Sequence, residues 1–149
     1  MTSRRILLAI LTALGLLVGI WAMVFPKGFY ADFPGFGFGS WVGDDGPFNE
    51  HLIRDVGELN LALAAAGLVA IAARTSATAV VAARVAAVAW LVYSIPHLAY
   101  HLGHLSGLAT KDAVAEPVSL SLSIVLSIPL LIGERRTKPT NQPDKGELT

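Results

Sequence analysis

The sequence predicts an all-α transmembrane four-helix bundle, and three observations carry that prediction. The chain is 149 residues long, 54% hydrophobic and only 15% charged, with a mean hydropathy of +0.60, more apolar than a soluble domain of its length. Its apolar residues gather into four runs, each long enough to cross a hydrocarbon core of about 30 Å, which takes roughly 20 helical residues. The basic residues of the short connections fall on one side of those runs.

Span one covers about 6–25 and holds no charge. Arg4 and Arg5 before it resemble the charged start of a signal peptide, but the apolar run is long and "WAMVFPKG" lacks a small-x-small cleavage site, which favours a retained anchor. The connection "PKGFYADFPGFGFGSWVGDDG" follows, a long aromatic and glycine-rich loop between helices 1 and 2 on the outer side. It reads either as a lid over the mouth of the bundle or as an aromatic belt in the membrane interface. Its "GFGFG" run is no nucleotide loop, because no strand precedes it. Asp45, Gly46 and Pro47 read as a helix start. Span two then covers about 47–73, span three about 77–104 with Arg84 near its start and a kink expected at Pro96, and span four about 113–132. Residues 1–133 thus form one membrane domain, and 134–149, polar and rich in breakers, read as a disordered cytoplasmic tail.

Arg4, Arg5, Arg74, Arg84, Arg135, Arg136 and Lys138 lie on one side, whereas Lys27 and Lys111 share the other with Asp32, Asp44, Asp45, Asp112 and Glu116. The positive-inside rule puts both termini in the cytoplasm. Alanine- and valine-rich helices suggest a bacterial chain, and the inner (plasma) membrane is the expected location. The lipid bilayer is then the first partner, with a homo-oligomer or another membrane protein as further candidates. Zero cysteines exclude disulfides, thiolate metal sites and cysteine nucleophiles. A net charge of zero without a basic stripe argues against nucleic acid.

The chemistry-bearing residues sit in two stretches. In "PHLAYHLGHL", His97, His101 and His104 have the i, i+4, i+7 spacing of one helix face, which extends back through Tyr93 and Trp90. In "NEHLIRDVGELN", His51, Asp55 and Glu58 have the same spacing. Spans two and three are joined by a very short turn and should pack antiparallel, setting His51 level with His104, Asp55 with His101 and Glu58 with His97. Ionisable groups at membrane depth cost about 2.5–3.5 kcal/mol each on insertion scales and seek partners. Arg54 can pair with Glu50, while a divalent cation shared by Asp55, Glu58 and the histidines would neutralise the remainder. The expected metal ligands are therefore His51, Asp55, Glu58, His97, His101 and His104, with Tyr93 and Arg54 supporting them. Zinc or iron is the expected ion, and so many ligands allow a dinuclear centre. Haem is the runner-up, since facing carboxylates suit it poorly. The competing readings are a structural hydrogen-bond network, or outer histidines that simply meet water.

Glu116 is read first as a helix-dipole residue rather than a further ligand. Ser119, Ser123 and Ser127 are read as small residues for close packing, and Asn60, opposite the ladder, as an interhelical hydrogen-bonding residue.

The four short spans, the proline after span one in "VFPKGFY" and the polar opening of span two resemble the small four-helix membrane proteins of the DoxX-like group. That resemblance implies a four-helix membrane bundle and a loose association with membrane redox or quinone-linked processes, with no catalytic residues to carry across. The resulting expectation is a membrane protein with a His and carboxylate metal site near its extracytoplasmic end. Such a site would serve a metal-dependent oxidoreductase or hydrolase acting on an amphipathic substrate. The alternative is a non-enzymatic interaction or transport-associated bundle. The apolar inner half of span two, "LALAAAGLVAIAA", counts against a through-channel.

Overall fold

The computed structural model describes residues 2–132, so the expected tail at 134–149 lies outside the described residues. Within them the chain forms α1 (Thr2–Val24), α2 (Pro26–Asp32), α3 (Trp41–Asp44), α4 (Glu50–Ala72), α5 (Ser76–Leu102) and α6 (Thr110–Leu131). The four long helices have the length and composition of membrane spans, which makes this a multi-pass membrane protein. They form a ring in which α1 packs on α4, α4 on α5, α5 on α6 and α6 on α1.

Local signals set the boundaries. Asn49 caps α4 by accepting from Leu52 N at 3.1 Å, so α4 begins three residues beyond the expected start at Pro47. Thr75 caps α5 by accepting from Thr78 N at 3.2 Å, which closes the turn between α4 and α5 in a few residues. Helix α5 runs through Pro96, and α6 through Pro117 and Pro129, as membrane helices with packed neighbours can. Arg84 donates from Nε to the Leu131 carbonyl at 3.1 Å, tying α5 to the last turn of α6.

Apolar side chains cover the outside of the bundle as well as much of its core. Val81, Val85, Val88 and Val92 on α5, and Val114, Val118, Leu122 and Val125 on α6, face outward. Asn60, Ser94, His101, Asp112, Glu116 and Ser127 are buried. Close approach of α1 and α4 comes from Gly15 and Gly19, four residues apart, meeting Gly57 and Ala64. A Cβ on Gly57 would lie 2.8 Å from the Met23 backbone nitrogen, and one on Gly19 would lie 3.0 Å from the Gly57 carbonyl oxygen.

The connection between α1 and α4 folds over one end of the bundle. Phe29 and Trp41 are buried, and Phe33 packs between them with ring centroids 4.6 Å and 6.1 Å away. The Phe33–Pro34 peptide is cis, and Gly35, Phe36 and Gly37 all have positive φ at the loop tip. Tyr30 donates from its hydroxyl to the Gly46 carbonyl at 2.8 Å, and Lys111 donates to the Gly37 carbonyl. The segment packs over one end of the bundle through Phe29, Phe33 and Trp41, while Phe36 at its tip is exposed.

Candidate functional site

Beneath the lid lies a cavity of about 630 Å³, bounded by all four long helices. Its deep end is lined by Leu14, Asn60, Trp90, Tyr93 and Ser123, while Val18 and Ile53 pack nearer the lid with Phe29 and Phe33. Its lid end carries Tyr30, Phe33, Trp41, Phe48 and Asp45. Tyr93, His97 and His101 of α5 run along one wall, opposite elements of α4 and α6.

Spacing on α5 puts these side chains there. Trp90, Tyr93, His97 and His101 follow one another by three or four residues and share the inward face, as expected from the sequence. Asn60 Nδ2 donates to the Tyr93 hydroxyl at 3.3 Å, the interhelical role expected of it. The Tyr93 and His97 rings stack with centroids 5.2 Å apart, and the His97 and His101 rings meet edge to face at 4.7 Å. His101 Nδ1 lies 2.8 Å from Glu116 Oε1, an ion-pair distance. Both side chains are deeply buried, at 9% and 4% exposure. His101 Nε2 faces Asp45 Oδ2 at 3.9 Å, too far for a hydrogen bond.

Asp112, one turn before Glu116, is buried and anchors the lid. Its Oδ1 accepts from Gly39 N at 3.1 Å and from Trp41 Nε1 at 2.9 Å. Ser123 donates from its hydroxyl to Ser94 Oγ at 2.8 Å, joining α6 to α5 below the dyad, and Ser127 is fully buried. Ser123 and Ser127 therefore pack as expected, whereas Ser119 is exposed and its hydroxyl donates to the Glu116 carbonyl at 2.8 Å.

The facing ladders of the sequence reading are not the arrangement found. His51, Asp55 and Glu58 are exposed. His51 Nδ1 lies 3.5 Å from Asp55 Oδ1, at 88% and 49% side-chain exposure. The cause is the rotation of α4. Gly57, Asn60, Ala64 and Gly67 form its small inward stripe, and Asp55 sits two residues from Gly57, about 200° around the helix. His104 is also exposed, its Nδ1 2.7 Å from the Tyr100 carbonyl oxygen. Arg54 takes its expected partner, donating to Glu50 Oε1 at 2.8 Å from Nη2, and donates further to the Met23 carbonyl. Of the six expected metal ligands, only His97 and His101 line the cavity, and Tyr93 lies beside them. Among the described residues no group of three or more His, Asp or Glu side chains is gathered to hold a metal ion. With His51 turned away, no two histidines from different helices line the cavity, which is what axial haem ligation would use.

Asp45 and Asp112 are not among the site residues read from the sequence, and Glu116, weighed there as a further ligand, is read first as a helix-dipole residue. One signal was present: Asp112, Glu116, Ser119 and Ser123 repeat at four, three and four residues, a polar stripe along an otherwise apolar span. Glu116 is a buried partner of His101 rather than a helix-dipole residue. The dyad and the lid anchor are thus two consecutive inward positions of α6.

The chain matches no family model, no curated protein and no solved structure.

Proposed function

We propose that this protein is an inner-membrane bundle that holds an amphipathic small molecule in the lidded cavity, its body among the apolar side chains and its head at His101, Glu116 and Asp45. The carrying observation is the cavity itself, of about 630 Å³, mostly apolar in its lining with a few polar side chains set along it. Small-molecule sites have this size and this division of lining. Trp90 adds support: it lines the cavity, is 4% exposed, and its indole N–H has no partner among the described residues. Buried donors normally find an acceptor. His101, oriented by Glu116, is the group suited to exchange a proton with the head of the bound molecule.

Native mass spectrometry of the detergent-released protein tests this reading. The wild type should carry a non-covalent organic adduct. Val56→Phe and Ser119→Phe, which fill the cavity from α4 and α6, should lose it while keeping their helical circular dichroism. A wild type that carries no adduct and gains no thermal stability from a bacterial polar-lipid extract would overturn the reading.

A metal centre, with zinc or iron as the ion, is the second reading, favoured by one observation. Glu116 engages His101 Nδ1, leaving Nε2 turned to Asp45 at 3.9 Å. A carboxylate on the far nitrogen is the usual support of a metal-binding histidine. Elemental analysis should then find a stoichiometric transition metal that His101→Ala and Asp45→Asn both lose. A metal-free protein after reconstitution would remove this reading and leave the first intact.

Both termini are placed in the cytoplasm by the positive-inside rule, with Arg4, Arg5 and Arg74 on that side. The absence of cysteine makes the test simple. His104→Cys should react with an impermeant maleimide added to spheroplasts, and Thr75→Cys should react only after permeabilisation. The reverse pattern would invert the topology.

A further inference from the structure

Resting on that cavity reading, we infer that the molecule held is an organic cation, an ammonium with an apolar body, whose charge sits between Asp45 and Glu116 inside the aromatic rim. The lining contains two carboxylates, Asp45 and Glu116, and no lysine or arginine. Two more carboxylates stand behind them. Asp112 Oδ2 and Asp44 Oδ2 lie 3.5 Å and 3.7 Å from the point where a side chain on Gly39 would begin. The nearby cation is turned elsewhere, because the Lys111 ammonium donates to the Gly37 carbonyl and lies 5.7 Å from the Phe38 ring centroid. The only lining groups able to carry positive charge are the imidazoles of His97 and His101.

Such a field selects a positive ligand. Carboxylates gathered at one end of a low-dielectric cleft attract a counter-charge strongly, and Glu116 lies there at 4% exposure with its Oε1 2.8 Å from His101 Nδ1. Asp45 has spare acceptor capacity, since its contact to His101 Nε2 at 3.9 Å is longer than a hydrogen bond. Tyr30, Phe33, Trp41 and Phe48 surround the same end of the cavity. Aromatic faces combined with carboxylates recognise ammonium groups through cation–π attraction and charge pairing. Leu14, Val18, Ile53 and Val56 make the body of the ligand largely hydrocarbon, and the unpartnered Trp90 Nε1 leaves room for one acceptor deeper in.

The test separates charge from shape. Protein in nanodiscs is titrated calorimetrically, with empty nanodiscs as blank, using 4-phenylbutyl-trimethylammonium, its neutral isostere with a tert-butyl carbon in place of the ammonium, and 4-phenylbutyl sulfonate. The cation should bind about tenfold tighter than the neutral isostere, the size of one desolvated cation–π or charge contact, and the sulfonate should bind most weakly. Asp45→Asn should remove most of that preference, read as the ratio of the cation's affinity to the isostere's in the same variant. Glu116→Gln provides a second variant at the buried carboxylate. Equal binding of cation and isostere, or a preference untouched in both variants, would overturn the cationic assignment and leave the cavity reading standing. Failure of all three probes, together with an adduct-free wild type, would overturn both.

Discussion

Gly57→Leu is expected to abolish the folded bundle, and Gly57→Ala to destabilise it measurably. The position has no room: a Cβ there would sit 2.8 Å from the Met23 nitrogen and 3.0 Å from the Gly19 carbonyl oxygen. Both obstacles are backbone atoms, so no rotamer change relieves them and α1 must move away from α4. Overpacking in a filled interior costs about 1–3 kcal/mol, and more where the neighbour cannot yield. In a membrane the loss weighs heavily, because helix association there rests on close van der Waals packing rather than on a hydrophobic drive. The thermal midpoint in mild detergent should fall clearly for Gly57→Ala, and Gly57→Leu should fail to give a monodisperse species. Gly28→Ala is the matched control, since the nearest atoms to its Cβ lie 3.7 Å and 4.0 Å away, and it should be near neutral. Wild-type stability in Gly57→Leu would contradict the α1–α4 contact. The effect extends to the cavity: the same stripe sets the rotation of α4 that turns Ile53, Val56 and Asn60 inward.

Asp112→Ala should release the lid. One carboxylate oxygen accepts from both Gly39 N and Trp41 Nε1, across more than seventy residues of sequence. Hydrogen bonds to a charged group contribute about 1.5–3 kcal/mol each, and truncation also leaves the buried Trp41 N–H unsatisfied. Hydrogen–deuterium exchange should therefore rise sharply across residues 33–46 while the centres of the long helices stay protected. Trp emission should shift to the red as Trp41, 8% exposed in the closed lid, meets solvent. Asp112→Asn keeps a carbonyl acceptor at the same place and should recover much of the protection. Unchanged exchange in Asp112→Ala would show that the aromatic packing of Phe29, Phe33 and Trp41 holds the lid unaided. A loosened lid should also weaken ligand retention, because Tyr30, Phe33, Trp41 and Asp45 wall the cavity from that segment.

The α5 wall was readable because one periodicity governs it. Trp90, Tyr93, His97 and His101 share a face by spacing alone, and a helix with three apolar sides has only one polar way to point. On α4 two stripes competed. The charged one, His51, Asp55 and Glu58, drew attention by its chemistry, yet the small one, Gly57, Asn60, Ala64 and Gly67, decides the packing. A glycine stripe wins the interior because only it lets two backbones approach, while charges near a helix end can reach the interface and water. His101 and Glu116 come from different helices, and nothing in either stretch names the other. That pairing depends on the relative height of α5 and α6 across a short connection, which a change of a few residues would shift by about a helical turn.

The number of spans, the inward face of α5, the Arg54–Glu50 pair and the role of Asn60 were legible in the amino-acid order, because hydropathy and helical period act along one segment at a time. The outward turn of the α4 acids, the placing of Glu116 and Asp45 on either side of His101, and the Asp112 contacts to the lid come from the packing of the helices. Those outcomes follow from how four helices rotate and slide against one another, and steric fit between small residues, rather than the charges of any single segment, sets that arrangement.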